Sequence, residues 1–185
     1  RGRYLNDLTR RHAQQWAAAL AAMCWGQRAV ELRDEAGERD ITGPNVVVGF
    51  DERPASPDLA LGIVTGLRQA GCRVIDIGLT TPSVWRFAAD SQQADAAVLV
   101  TGTGQEASWT GFDFFGAGGQ SLDTQSVARM INDAPIVTRP TRSAGVVASL
   151  SPWTGYETCL ATEFHALRPL RVTAIVLSPL VEQVF

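Results

Sequence analysis

The sequence predicts an α/β fold, a three-layer α/β/α sandwich around a mixed, mainly parallel sheet. Three observations carry this. Asn45–Phe50 reads Asn-Val-Val-Val-Gly-Phe, a short continuous apolar run of the kind buried on both faces of a parallel sheet. Stretches of helical period alternate with such runs. The resulting order of strand, helix, strand, helix, strand is that of right-handed βαβ crossovers.

Taken in order, Leu8–Leu32 is expected as one Ala-rich helix, with Trp16, Leu20, Met23, Cys24 and Val30 turned inward. Asp34–Asp40 is a charged link containing Gly37, and the strand Asn45–Phe50 follows. Pro57 and Asp58 open a helix to about Ala70 that places Leu59, Leu61, Ile63, Val64 and Leu67 inward, and Gly71 ends it. Next come a strand at Arg73–Ile77, a turn at Gly78–Pro82, a helix at Ser83–Asp90 and a strand at Ala96–Thr101. Phe112–Phe115 reads as a further strand, closed by Gly116, Gly118 and Gly119, and Asp123–Ile131 as a helix. Ala134–Pro152 has little helical period and reads as a return connection. A helix at Thr154–Leu167 and a strand at Arg171–Leu177 then open what reads as a second domain. The expected organisation is a first domain over 1–133, a connection over 134–153 and the start of a second domain over 154–185.

With 185 residues and 45% hydrophobic content, the chain can bury a substantial core. A net charge of −3 and a pI near 5.4 argue against nucleic acid or a membrane surface as partner. All 16 basic residues are Arg, which excludes a lysine phosphate loop or a Schiff-base lysine within these residues. Arg still binds phosphate, in a bidentate way. Cys24, Cys72 and Cys159 have no metal-like spacing and fit a reduced, cytoplasmic setting. The longest apolar run, Ala17–Trp25, is too short to span a bilayer. No signal peptide is visible, but the sequence begins at Arg1 without Met, so an upstream targeting segment stays open.

In open α/β sheets ligands lie at the carboxyl ends of the strands, where loops and helix N-termini converge. That rule gathers Asp51-Glu52-Arg53, Thr80-Thr81-Pro82 and the Thr101–Gly111 loop. Two readings of the loop compete. Gly102-Thr103-Gly104-Gln105-Glu106-Ala107 matches a dinucleotide-binding glycine pattern, but that pattern requires a helix to start at the loop. Ser108–Phe115 has strand-like aromatic character instead. The second reading is phosphoryl transfer by the Thr103 hydroxyl. Gly102 and Gly104 would let the hydroxyl and backbone N–H groups, with Gln105 beside them, close on a phosphate. Arg1 and Arg53 would supply charge-assisted hydrogen bonds. Arg53 could instead be a surface or interdomain ion pair, and Trp109 could either pack the loop or touch a sugar. Ser56 reads as a helix-start residue. His12 and His165 lack partners at ligand spacing and read as neutral surface or core residues.

Five segments in order, from Arg1 to about Ile131, resemble the first domain of the phosphohexomutase (phosphoglucomutase/phosphomannomutase) family. Arg1-Gly2, with Leu8-Thr9 after it, is similar to the end of the family's opening Tyr-Asp-x-Arg-Gly motif. Asn45–Ala60 resembles its Val-Val-Gly-x-Asp-x-Arg-x-Ser-Ser-Pro segment, and Gly71–Pro82 its Gly-x-x-Val-x-Asp-x-Gly-x-x-x-Thr-Pro segment. Asp95-Ala96-Ala97 and Thr101-Gly102 then lead into the active-site loop.

The resemblance implies interconversion of hexose 1-phosphate and 6-phosphate, with Thr103 where the family's phosphate-carrying serine stands. It implies a magnesium ion, of which a Thr103 phosphate would be one ligand, and sites completed by three further domains that these residues do not include. The chain alone is therefore expected to be inactive. The family loop reads Thr-Gly/Ala-Ser-His-Asn-Pro-Pro-x-Tyr-Asn-Gly-x-Lys. Here Gly104 and Gln105 stand at its His and Asn, Glu106 and Ala107 at its two prolines, and Asp113 at its lysine. With Asp113 in place of that lysine, like charges about 6 Å apart would repel a phosphate by roughly 3 kcal/mol per charge pair at an effective dielectric near 20. The alternative is accordingly a diverged, non-catalytic homologue serving as a sugar-phosphate-binding or interaction module.

Overall fold

A computed structural model describes residues 1–34, 43–116, 119–133 and 144–166, together with Arg171, Thr173, Ile175, Val176, Ser178 and Glu182. The elements are β1 (Gly2–Arg3), α1 (Arg10–Asp34), β2 (Asn45–Phe50), α2 (Ser56–Gln69), β3 (Arg73–Leu79) and α3 (Pro82–Ser91). They continue with β4 (Ala96–Val100), β5 (Trp109–Thr110), β6 (Phe112–Phe115), α4 (Thr124–Asp133), β7 (Val147–Ser149) and α5 (Trp153–Glu163). A five-stranded sheet runs in the order β6-β4-β2-β3-β7. Only β6 is antiparallel to its neighbour, so the sheet is mixed and mainly parallel, as the sequence predicts.

The continuous apolar strands divide their side chains between two cores. Val46, Val48, Val74, Val98, Val100, Phe112 and Phe114 face α1, α2 and α4. Val47, Ile75, Ile77, Ala97 and Leu99 face α3 through Trp85 and Ala88. Helices on both faces of one sheet give the three layers. Beyond them, α5 leans on α3 through Tyr156 and Phe87, whose rings lie 5.6 Å apart.

On α2, buried Leu59, Ile63 and Leu67 follow the helical period, whereas Leu61 points out and is 50% exposed. The expectation that Leu61 is inward is thus corrected: it lies half a turn from the buried stripe. Leu20 and Cys24 are buried on α1 as expected, and the side chain of Val30 lies outside the described residues. The stretch read as Gly78–Pro82 turn also differs, because β3 runs on to Leu79. A register shift there accommodates Gly78 at φ +66, and the Gly78 N–H donates to Asp76 Oδ1 at 2.9 Å. Thr81 then caps α3, accepting from the Val84 N–H at 3.4 Å ahead of Pro82 in the first turn.

Three strands went unforeseen, β1, β5 and β7. β7 lies inside the stretch read as a connection and pairs parallel to β3, Val74 opposite Val147. It is three residues long and mostly exposed, so no apolar pattern marks it. β1 pairs antiparallel with β5, Gly2 opposite Thr110, in a separate two-stranded sheet. The link at 35–40 and residues 134–143 lie outside the described residues. The strand expected over Arg171–Leu177 falls partly outside them, and its described members carry no strand pairing.

Two contacts fix how α1 meets α2. Gly62 and Gly66 lie against Ala13 and Ala17, so close that a Cβ on Gly66 would stand 2.5 Å from the Gln14 carbonyl and 2.8 Å from the Ala17 Cβ. At the end of this seam, Asp58 accepts from the Tyr4 hydroxyl (2.9 Å) and from Arg10 Nε (2.8 Å). The Arg10 hydrogen bond, more than that of Tyr4, holds the Asp58 carboxyl below the usual aspartate range against the opposing effect of partial burial.

Gly66→Ala should therefore destabilise by about 1–3 kcal/mol through overpacking. Gly26→Ala, where nothing lies within 4 Å of the added methyl, should stabilise by roughly 0.5–1 kcal/mol through helix propensity. Chemical denaturation of both variants tests the seam. The depressed carboxyl of Asp58 contributes stability fully above its unfolded pKa, near about 4, and that contribution is lost as pH falls through the folded value. Melting temperatures taken from about pH 6 down to about pH 2 should fall less steeply in Asp58→Asn than in wild type.

Candidate active site

The site is built where β4 ends. Its strand neighbours are β2 and β6, so the residue after Val100 emerges among backbone groups that are already paired. Thr101 is 1% exposed; its N–H donates to the Gly111 carbonyl at 3.0 Å, closing the neck of the loop. Beyond it Thr103, Gly104, Gln105 and Glu106 are exposed. Two turns shape this arc, Gln105 N–H to Gly102 carbonyl and Trp109 N–H to Glu106 carbonyl, both at 2.9 Å. Gly104 sits at φ +80, the left-handed region that favours glycine.

The loop is anchored from the end of β2. Asp51 accepts from the Ser56 hydroxyl (2.5 Å) and the Arg53 N–H (3.1 Å) on one oxygen, and from the Gly102 N–H (3.1 Å) on the other. Arg53 reaches across the loop. Nη1 donates to the carbonyls of Glu106 (2.7 Å) and Trp109 (3.0 Å), and Nη2 to those of Gly102 (2.8 Å) and Gln105 (3.0 Å). Its Nε lies 3.3 Å from Asp51 Oδ2. A guanidinium has five N–H donors, and here all of them face the loop or Asp51. Gly102 passes so close that a Cβ would stand 2.6 Å from Arg53 Nε and clash with the Trp109 carbonyl.

Arg1 approaches from the other side. One terminal nitrogen donates to the Thr101 carbonyl, and the other to Asp113 Oδ1 at 2.6 Å. The β1–β5 pairing delivers it there, and Gly111 makes room, since a Cβ at that position would lie 2.7 Å from Arg1 Cδ. The negative charge the sequence puts at Asp113 has a counter-charge in the fold, because Arg1 pairs with it. At the centre of the arrangement, Thr103 Oγ1 lies 2.7 Å from Thr101 Oγ1, which also accepts the Thr103 N–H at 3.1 Å.

All the sequence-predicted site residues thus converge: Thr103, Gly102, Gly104 and Gln105 on the arc, Arg53 beneath it, Arg1 and Asp113 at its neck. The sequence gathers Asp51 and Thr101 at this edge without assigning either a role, and it does not show the β1–β5 pairing. Asp51 and Arg53, two residues apart directly after a strand, were the available signal. The dinucleotide reading fails, because strands β5 and β6 follow the loop where a helix is required. Among the described residues no group of three His, Cys, Asp or Glu side chains is placed to hold a metal ion. The resemblance gives magnesium one ligand in this chain, a phosphate on Thr103, and the nearby Asp51 carboxylate is engaged by Ser56, Arg53 and the loop. No described helix is long and apolar enough to cross a membrane. Ser56 is a buried helix-start residue, and the His165 Nδ1 lies 2.7 Å from the Thr162 carbonyl oxygen at the end of its own helix.

A family model described as phosphoglucomutase/phosphomannomutase, alpha/beta/alpha domain I, matches residues 1–134. The chain belongs to this family. A phosphomannomutase/phosphoglucomutase of Pseudomonas syringae pv. tomato is 35% identical over 75 residues, which are 40% of this chain and 16% of that protein. A phosphoglucosamine mutase of Lacticaseibacillus casei is 35% identical over 113 residues, 60% of this chain and 24% of the relative. The chain thus spans a quarter or less of these curated relatives. In structure it is similar to a phosphoglucomutase/phosphomannomutase family protein of Burkholderia thailandensis, with a TM-score of 0.70 at 22% identity over 88% of this chain and 34% of that one. This likeness shows the fold.

Replacing Arg53 by Lys keeps the charge but removes the planar fork that reaches the loop carbonyls on two sides. Amide hydrogen exchange at Gln105 and Trp109 should speed up by about tenfold or more, at roughly 1 kcal/mol per lost hydrogen bond. Global stability should change little.

Proposed function

We propose that this chain carries the phosphoryl-transfer loop of a phosphohexomutase, with Thr103 as the phosphate carrier. The observation that carries the reading is the position of the Thr103 hydroxyl. It is exposed at the carboxyl end of a sheet strand, on an arc held by Asp51 and Arg53 within this same domain. A carrier needs this combination of an accessible oxygen and a fixed approach direction, because phosphoryl transfer rests on positioning and electrostatics.

In the proposed cycle the phosphoryl group of phospho-Thr103 passes to a free hydroxyl of a hexose monophosphate, giving a bisphosphate. The Thr103 oxygen keeps the electron pair of the broken P–O bond and regains a proton, matching the one released by the sugar hydroxyl. Return transfer from the other position of the bisphosphate restores phospho-Thr103 and completes the interconversion of hexose 1- and 6-phosphate. The Gly102 and Gly104 backbone and Gln105 border the transferred group. Arg53 acts through the loop it holds, and Arg1 contributes positive charge at the neck while paired with Asp113. The phosphosugar is the substrate, the remaining domains of the parent protein are the partners, and the setting is the cytoplasm. This chain alone is expected to give no turnover.

A second reading is favoured by one specific feature. Glu106 adds an exposed negative charge to the arc, and every Arg53 donor is engaged, which weakens anion attraction at the tip. A sugar-phosphate-binding or interaction module without turnover would tolerate this.

Intact-mass analysis and peptide mapping of the full-length protein after incubation with a hexose bisphosphate and Mg²⁺ decide between the two. Phosphate on Thr103, with mutase activity falling by several powers of ten in Thr103→Ala, is the expected result. An unmodified Thr103 beside a labelled authentic mutase would sink the carrier role and leave the binding module.

A further inference from the structure

We infer that Thr101 is a catalytic residue whose buried hydroxyl donates a hydrogen bond to the Thr103 oxygen as the phosphoryl group leaves it. The inference rests on the carrier role proposed for Thr103. It starts from one contact, the 2.7 Å separation of the two Oγ1 atoms, the usual length for O–H···O.

A threonine hydroxyl has one proton and two lone pairs. At 1% exposure, Thr101 is shielded from bulk water, so protein groups must satisfy its hydroxyl. One lone pair accepts the Thr103 N–H at 3.1 Å. The remaining contact is to Thr103 Oγ1, and its direction depends on the state of the carrier. With Thr103 as a free alcohol, either oxygen can donate. With Thr103 phosphorylated, its Oγ1 is an ester oxygen without a proton, and only Thr101 Oγ1–H can donate. As the Oγ1–P bond breaks, negative charge grows on the atom at which this donor already points, so the hydrogen bond strengthens toward the transition state. Thr101 keeps its proton throughout, and the Thr103 oxygen takes the proton that the attacking sugar hydroxyl releases.

The donor is held on a rigid element. Thr101 follows the last residue of β4, its N–H is bound to Gly111, and its carbonyl takes the Arg1 guanidinium. Asp51 fixes the next residue through the Gly102 N–H. The hydroxyl therefore cannot follow the Thr103 oxygen if the latter rotates away, which makes the contact selective for one Thr103 rotamer.

The test uses the full-length protein with Thr103 charged from a radiolabelled hexose bisphosphate, and follows single-turnover transfer of label to a hexose monophosphate. Thr101→Val exchanges the buried hydroxyl for a methyl of similar size, removing both the donor to Thr103 Oγ1 and the acceptor of the Thr103 N–H, and Thr101→Ser restores both. We expect transfer slowed roughly ten- to a hundredfold in Thr101→Val, with the KM for the monophosphate unchanged, and Thr101→Ser within about threefold of wild type. A valine variant that folds and transfers at the wild-type rate overturns the inference while leaving the carrier role intact. Should valine unfold the protein, Thr101→Cys, with its weak S–H donor, takes its place in the same comparison. A wild-type Thr103 that accepts no label overturns both the carrier role and this inference.

Discussion

The loop at the end of β4 depends on one pair, Asp51 and Arg53. A tight arc of backbone turns several carbonyls toward its own interior, where each needs a donor. Arg53 supplies donors to the carbonyls of Gly102, Gln105, Glu106 and Trp109 from a single planar group. Asp51 balances that charge and ties the arc to β2 and to the start of α2 through Gly102 and Ser56. A lysine could not serve, because a point-like ammonium cannot address carbonyls on both flanks of the arc. The absence of side chains at Gly102 and the left-handed bend at Gly104 follow from the same demand, since the backbone must pass against the guanidinium and then reverse.

Charge at the neck of the loop is arranged around a second, more peripheral pair. Arg1 stands near the solvent with its side chain 27% exposed, and Asp113 is 44% exposed. An ion pair this open adds little stability by itself. What it adds is direction: β1 pairs with β5, Gly111 leaves space, and the Thr101 carbonyl and Asp113 together define where the Arg1 guanidinium lies. A carboxylate on β6 therefore reads differently in isolation and in the fold. Alone it opposes an anion at the loop; beside Arg1 the two charges nearly cancel, and the repulsion computed for an unpaired aspartate no longer applies.

The legible parts of this fold are those whose cause is local. β2 was evident because Val46, Val47 and Val48 are buried on both faces, which compels a continuous apolar run. Pro57, Asp58, Gly71 and Pro82 marked helix ends within a residue or two, because caps and φ restrictions act on neighbours. β7, with three mostly exposed residues, draws its pairing from the edge of β3 and leaves no pattern in its own composition. Likewise β1 and β5 are two residues each and exist only as partners. The candidate site divides along the same line. Thr103 and its glycines could be read from the loop itself, whereas the Arg1–Asp113 pair joins positions 112 apart and the engagement of Arg53 spans about half that separation. A family resemblance located these residues without saying whether their charges were free or already paired.

The distribution of rigidity says what one domain can contribute to a phosphoryl-transfer site. The side chains that anchor the arc, Asp51, Arg53 and Arg1, flank β2 and β1, while the Thr103 face is exposed and the described residues offer no cluster of metal ligands. Phosphoryl transfer between hydroxyl oxygens gains most from holding the reacting atom in line and placing charge where it develops. The first of these requirements is met within this chain: the oxygen of Thr103 has a fixed base, a shielded hydrogen-bond partner and a clear outward direction. The second demands cations facing that oxygen from outside, and the local guanidinium groups are turned to the loop or to Asp113. An arc built this way would hold the proposed carrier and leave the facing charges to be placed on its open side. Under the proposed role, that division lets Arg53 anchor the loop through its carbonyls while other groups meet the phosphate.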